Sequence, residues 1–241
     1  MLQELKACIE KAQHLTVLTG AGVSAESGIP TFRGGDGLWN RYRPEELATP
    51  EAFSRDPETV WRWYAWRMER VFSAQPNPAH LGFAKLQEMG RLACLITQNV
   101  DDLHERAGSR DVLHLHGTLR QMRCVACGSR IPVHRPPEVP PLPVCACGGL
   151  LRPDVVWFGE SLSPDVLQLA FDEASRSDVM IVAGTSAVVH PAASLPLEVK
   201  RHGGTVIEIN PDATPLSSMA DLSIRMPAGM AITENLGLGQ S

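Results

Sequence analysis

The sequence predicts an α/β fold: a parallel sheet covered by helices on both faces, with two smaller lobes inserted. Short apolar runs at 15–19, 91–97, 178–183 and 205–209 alternate with helical patterns, as strand and crossover helix do in such sheets. Each run ends in glycine or small polar residues, and the carboxyl edge of an open parallel sheet is where ligands bind. Between the runs lie two stretches of different composition, one rich in aromatics and arginine, the other in cysteine and proline.

Residues 2–13 place Leu2, Leu5, Cys8, Ile9 and Ala12 on one helical face. A buried strand over 15–19 follows and leads into Gly20-Ala21-Gly22-Val23-Ser24-Ala25, a G-x-G-x-x-A turn. Gly20 permits the tight turn, Gly22 lets backbone approach a pyrophosphate, and the amides opening the next helix are expected to face the anion. Glycine clusters also make ordinary turns, but the position directly after a strand favours phosphate binding. An acidic residue about twenty positions later is the usual dinucleotide partner. The chain instead runs on through Thr31, Phe32 and Arg33 to Gly34-Gly35, read as a loop over the ligand.

Residues 36–78 read as a helical lobe. Within it Trp61, Tyr64, Met68 and Val71-Phe72 form the packed face of a helix that follows Pro57. Tyr64 and Arg67 share one side and can approach a common anion, although such pairs also simply pack and ion-pair. A helix over 80–89 and a strand over 91–97 then deliver Gln98, Asn99 and Asp101 at the ligand edge, where they equally suit a turn and helix cap. Residues 112–116 alternate like a strand, so His114 and His116 point the same way. Either suits a general base or a satisfied core histidine, and spacing does not separate them.

Cys124-Val125-Ala126-Cys127 and Cys145-Ala146-Cys147 are separated by seventeen residues. Four thiolates in two close pairs suit tetrahedral zinc, and a filled shell leaves no position for catalytic water, so the metal is structural. Cys8 and Cys94 sit in apolar settings and read as buried thiols. Residues 149–160 combine an extended run with Trp157-Phe158, either a core strand or an edge that pairs with peptide backbone. A helix over 164–174 precedes the strand 178–183, which ends in Gly184-Thr185-Ser186. A helix over 195–201, a strand over 205–209 ending at Asn210-Pro211, and a short strand over 221–225 complete the sheet. The division is a sheet domain of 1–35, 79–119 and 151–241, a helical insertion of 36–78 and a zinc insertion of 120–150.

With 241 residues and 44% hydrophobic content the chain supports a sizeable core. A net charge of -5 argues against direct binding to nucleic acid. No apolar run reaches membrane-spanning length, and the N-terminus lacks signal-peptide character, so no membrane partner and a cytoplasmic location are expected. A monomer is the expected state.

The motif series from Gly20 to Arg33, then Gln98-Asn99-Val100-Asp101, His116-Gly117, the four cysteines, Gly184-Thr185-Ser186 and Asn210-Pro211 resembles the sirtuin family of NAD-dependent protein lysine deacylases along essentially the whole chain. The resemblance implies a Rossmann-like domain with a zinc-ribbon lobe and a helical lobe, and two cofactors, NAD and zinc. It implies that Gly20, Ala21, Gly22, Ser24, Ala25, Thr31, Phe32 and Arg33 form the NAD loop and lid. Gln98 and Asn99 would contact the nicotinamide ribose, Asp101 would shape the nicotinamide pocket, and Gly184, Thr185, Ser186 and Asn210 would lie near the adenosine half. His116 would be the catalytic base. Val156, Trp157, Phe158, Gly159 and Glu160 would form the strand side of a cleft for acylated lysine side chains of proteins. Ala48, Tyr64 and Arg67 match the class III, desuccinylase-like subgroup, in which a guanidinium and a phenol meet the distal carboxylate of a succinyl or malonyl group and a small residue leaves it room. Acetyl-lysine is accepted by members of that subgroup too.

Overall fold

The structure, a computed structural model, describes residues 1–33 and 37–236. The loop residues 34 and 35, and with them the expected boundary between 35 and 36, lie outside the described residues. The strands are β1 (Leu15–Thr19), β2 (Leu92–Thr97), β3 (Leu113–His114), β4 (Gly117–Cys124), β5 (Arg130–Pro132), β6 (Leu151–Val155), β7 (Val179–Ala183), β8 (Thr205–Ile209) and β9 (Leu222–Ile224). Six of them form a parallel sheet in the order β3-β2-β1-β7-β8-β9. Every residue of β1 and β7 is buried, as a strand covered on both faces requires. From β1 the chain builds outward to β2 and β3 on one side and to β7, β8 and β9 on the other. The crevice between the ends of β1 and β7 is therefore a topological switch point, the place where such sheets bind ligands.

The helices are α1 (Leu2–Lys11), α2 (Ala21–Ala25), α3 (Pro44–Leu47), α4 (Pro50–Arg55), α5 (Pro57–Ser73), α6 (Pro78–Glu88), α7 (Leu103–Arg106), α8 (Pro164–Arg176), α9 (Leu195–Arg201) and α10 (Ala228–Leu236). Residues of opposite parity along the strands feed opposite cores. Leu15, Val17, Leu95, Ile181 and Ile207 meet Leu5, Ile9, Phe83 and Ile232 on one face. Leu18, Ile96, Met180, Val182 and Val206 meet Ala170, Ala174, Leu195 and Val199 on the other. A third core joins α5 to a second, antiparallel sheet of order β5-β4-β6, with Trp61, Tyr64 and Met68 packed on Leu119, Leu151 and Trp157. The indole N–H of Trp61 donates to Leu151 O at 2.8 Å and ties the helical lobe to the cysteine lobe. Two starts are locally encoded: α5 follows Asp56, whose carboxylate accepts from Thr59 N, and α6 follows Asn77 in a capping box with His80, each with proline at the first helical position.

Three readings are corrected. The strand expected over 112–116 is the pair Leu113–His114, and His116 lies in the turn before β4. The extended run expected over 149–160 stops as strand at Val155, and residues 157–160 form a turn closed by Glu160 N donating to Trp157 O at 3.0 Å. Cys94 is buried as expected, but Cys8 is only half-buried.

His80 and His104 are fully buried beneath the glycine turn, their rings 4.8 Å apart. Burial pushes His80 down to about 4 and holds His104 well below 6.5, where the neighbouring His80 adds to the effect. The unfolded chain takes up protons near the ordinary value of 6.5 while the folded chain resists them. Stability from these rings is therefore complete above 6.5 and is lost as pH falls toward 4, with His80 alone contributing about 2 kcal/mol of loss by pH 5. The denaturant midpoint is expected to drop between pH 7.5 and pH 5; equal midpoints would mean that these rings are protonated in the folded protein.

Candidate active site

A cleft of about 910 Å³ runs along the carboxyl ends of β1, β2, β7 and β8, under the helical lobe and beside the turn that follows β6. Gly20, Ala21, Gly22, Ala25, Thr31, Phe32, Arg33, Gln98, Asn99, Gly184, Thr185, Ser186 and Asn210 line it. His116, the turn residues 156–160, and Ala48, Tyr64 and Arg67 of the helical lobe line it as well. Ser24 and Asp101 do not reach its surface; they lie one layer behind.

The glycines at the switch point are there for contact between backbones. A Cβ on Gly22 would sit 2.8 Å from the Gly184 Cα, and one on Gly184, whose φ is +60°, would collide with Val23 N. The turn's amides differ from expectation. Gly20 N donates to Ala183 O at 3.0 Å, Gly22 N to Gly184 O at 2.7 Å and Val23 N to Gly20 O at 3.0 Å. The turn thus offers a phosphate close approach and a bare floor more than a row of free donors. Side chains from the strand ends stitch this floor together. Gln98 Nε2 donates to Thr185 Oγ1 at 2.9 Å, Asn210 Nδ2 to Thr185 O at 2.9 Å, and Asn99 Nδ2 to Gly20 O and Ser24 Oγ, each at 3.1 Å. Behind them Asp101 accepts from Ser24 Oγ at 2.9 Å and from Leu103 N at 3.2 Å. Burial raises its pKa against the pull of those two bonds.

The two histidines that spacing left equivalent have different surroundings. His114 has both ring nitrogens engaged, Nδ1 with Asn99 O at 3.2 Å and Nε2 with the Glu105 carboxylate at 2.6 Å. Burial opposes its charge, yet the Glu105 carboxylate outweighs that and raises its pKa. Among the described residues the His116 ring makes one bond, Nδ1–H donating to Gln98 O at 3.0 Å, and it faces the cleft. Burial lowers its pKa, with the Gln98 bond opposing. A neutral ring whose Nδ1 carries the proton leaves its Nε2 lone pair for a ligand, the form a general base needs.

At the other end of the cleft, the Arg67 guanidinium lies over the Phe32 ring at 4.5 Å and the Trp63 ring at 5.0 Å. Its side chain is 7% exposed, and among the described residues no carboxylate lies within ion-pair distance of it. Burial lowers its pKa, but a guanidinium stays charged at neutral pH. A buried cation without an acidic partner is costly unless something in the cleft completes it.

The four cysteine sulfurs all lie within 4.8 Å of one another, with Cys124–Cys147 and Cys127–Cys147 at 3.5 Å and Cys127–Cys145 at 3.8 Å. A tetrahedron with metal–sulfur bonds of about 2.3 Å has edges of about 3.8 Å, so the cluster fits a structural metal.

A family model described as Sir2 family matches residues 20–191. The chain belongs to the Sir2 family. It is 66% identical over 235 residues, 97% of this chain and 96% of the relative, to NAD-dependent protein deacylase 1 of Archaeoglobus fulgidus. It superimposes with a TM-score of 0.94 and 64% identity, over 98% of this chain and 93% of the other, on a Sir2 homologue in complex with NAD. A Sir2 mutant holding a deacetylated p53 peptide and 3'-O-acetyl-ADP-ribose matches with a TM-score of 0.92 and 36% identity over 99% and 98% of the two chains.

In this Sir2 chain the cleft also has walls that reading the sequence missed. Trp39 and Trp63 complete the aromatic end, and residues 211–215 close the end beyond β8. Glu208 shapes the latter from below. Though 1% exposed, its carboxylate accepts from Thr214 Oγ1 at 2.5 Å, Ser217 Oγ at 2.7 Å, Ser223 Oγ at 3.1 Å and Arg225 Nη1 at 2.7 Å. The signal was present, because an acid inside the apolar run 205–209 must be paired once buried.

Proposed function

We propose that this Sir2 chain removes acyl groups from lysine side chains of proteins at the expense of NAD, giving nicotinamide, O-acyl-ADP-ribose and free lysine. We further propose that it takes succinyl and malonyl groups as well as acetyl, like the class III subgroup, and that the four-cysteine site holds zinc. The observation that carries the first reading is the neutral His116, which faces the same cleft as the glycine turn. The Archaeoglobus fulgidus relative is by name a deacylase that uses NAD, and the peptide-bearing Sir2 structure contains O-acetyl-ADP-ribose, the product expected of that chemistry.

NAD supplies a glycosidic bond from which nicotinamide leaves as the acyl carbonyl oxygen attacks. The rest is work for this chain's own atoms. The glycine floor and the Gln98, Asn99 and Asn210 frame hold the dinucleotide with its ribose toward His116. Closure by Phe32 and the aromatic wall keeps water from a cationic transition state. His116 Nε2 then accepts a ribose hydroxyl proton, which lets that oxygen attack the acyl carbon, while Gln98 O holds the ring through Nδ1; the acyl C–N bond breaks to release the lysine amine, and one water adds to the acyl carbon to leave O-acyl-ADP-ribose.

The acidic-acyl reading rests on Arg67. A distal carboxylate would give its buried guanidinium the partner it lacks among the described residues, while Ala48 leaves space beside it. Replacing Arg67 by Met is expected to lower kcat/KM on a succinyl-lysine peptide about a hundredfold and on the acetyl peptide several-fold at most. Equal losses on the two peptides would make Arg67 a packing residue.

A further inference from the structure

We propose that Trp157 fixes the direction of the Tyr64 hydroxyl proton, so that the phenol presents a donor, not a lone pair, to the distal end of the acyl group. This deepens the acidic-acyl reading and rests on it. The indole N–H of Trp157 lies 2.8 Å from the Tyr64 hydroxyl oxygen, and both side chains are buried, at 3% and 2% exposed. An indole nitrogen only donates, so the phenol oxygen must accept, and its own proton has to point elsewhere. Among the described residues no acceptor takes that proton. The neighbouring Arg67, its guanidinium 5.8 Å from the phenol ring, offers only donors. Burial raises the pKa of Tyr64, so the proton is retained. A carboxylate reaching this corner would meet the Arg67 fork and one O–H, both as donors.

Trp157 suits this task because it cannot turn away. The Arg152 guanidinium lies 3.3 Å from the centre of the indole. That guanidinium is itself forked on Glu160, with Nη1 to Oε1 at 2.6 Å and Nη2 to Oε2 at 2.9 Å, and Nη2 also donates to Val155 O at 2.8 Å. Glu160 Oε2 in turn accepts the backbone N–H of Trp157 at 2.8 Å. The ring of Phe53 closes on the indole with centroids 5.3 Å apart. Arg152 is thus a positioning residue that acts through Trp157, and it lies outside the cleft lining.

An acetyl group has no distal oxygen and gains nothing from the oriented proton, so the readout is a ratio: kcat/KM on a succinyl-lysine peptide divided by that on its acetyl counterpart. Trp157→Phe keeps most of the ring packing and removes the N–H, and is expected to lower the ratio about tenfold. Arg152→Met frees the indole and is expected to lower it several-fold, which keeps the test available if the first variant folds poorly. A zinc content and an NAD KM like the parent's separate this effect from loss of the fold. If Arg67→Met collapses the ratio but Trp157→Phe and Arg152→Met leave it unchanged, the orienting role is wrong and the acidic-acyl reading stands. If the parent does not cleave the succinyl peptide, or none of the three variants moves the ratio, the acidic-acyl reading fails and the orienting role with it.

Discussion

His116→Ala is expected to lower kcat on an acetylated peptide by about 10²–10⁴-fold, the usual contribution of a placed general base, while NAD still binds. Among the described residues the ring makes one bond, from Nδ1 to Gln98 O, so its removal leaves the Gln98, Asn99 and Asn210 frame proposed to hold the dinucleotide largely intact. The loss should fall on kcat far more than on either KM, because the proton transfer occurs only after both substrates are in place. The parent enzyme's acid limb gives a second check. Burial lowers the pKa of His116 below 6.5, so activity should persist as pH falls through 6.5 and fail only further down. A variant as fast as the parent would remove His116 from the chemistry, and an acid limb above pH 7 would assign the limb to another group.

Cys124→Ser is expected to abolish zinc binding and to lower the thermal midpoint of the zinc-loaded protein by about 10 °C, as structural metal binding is part of the folding free energy. Cys124 is 2% exposed at the end of β4 and belongs to the core shared with Trp61, Tyr64 and Trp157. Loosening it therefore reaches the Tyr64–Arg67 end of the cleft through β6, whose Leu151 O holds the Trp61 indole. Metal analysis together with a melting curve reads both effects. A variant that melts like the parent would mean that the sulfurs do not carry a structural metal.

Much of the fold was legible because its signals are local. Strands buried on both faces appear as unbroken apolar runs, and the helix over 195–201 and the strand over 205–209 have the bounds expected of them. The four cysteines announce their own geometry, since only a metal or disulfides would gather thiols at such spacings. What stayed hidden depends on contacts distant in sequence. His114 and His116 look alike in a five-residue run; what distinguishes them is Glu105, which claims the first, and Gln98 O, which leaves the second with a free nitrogen. The strand over 112–116 is shorter than its alternation suggests, because β2 ends at Thr97, whose carbonyl takes the last bond from Leu115 N at 2.9 Å and leaves His116 nothing to pair with there. Arg67 was legible as a residue type at helical spacing from Tyr64, but its lack of an acidic neighbour could only be seen once Phe32 and Trp63 had packed around it. Trp157 was placed in the cleft, yet its bond to Tyr64 spans 93 residues and leaves no trace in either local pattern.

The most direct test of the central claim is a mass spectrum of one reaction of the protein with NAD and an acetyl-lysine peptide. Free lysine peptide, nicotinamide and an acetyl group carried on ADP-ribose are expected, all dependent on His116. Acetate released without NAD consumption, or ADP-ribose attached to protein with the acetyl group still on lysine, would contradict it.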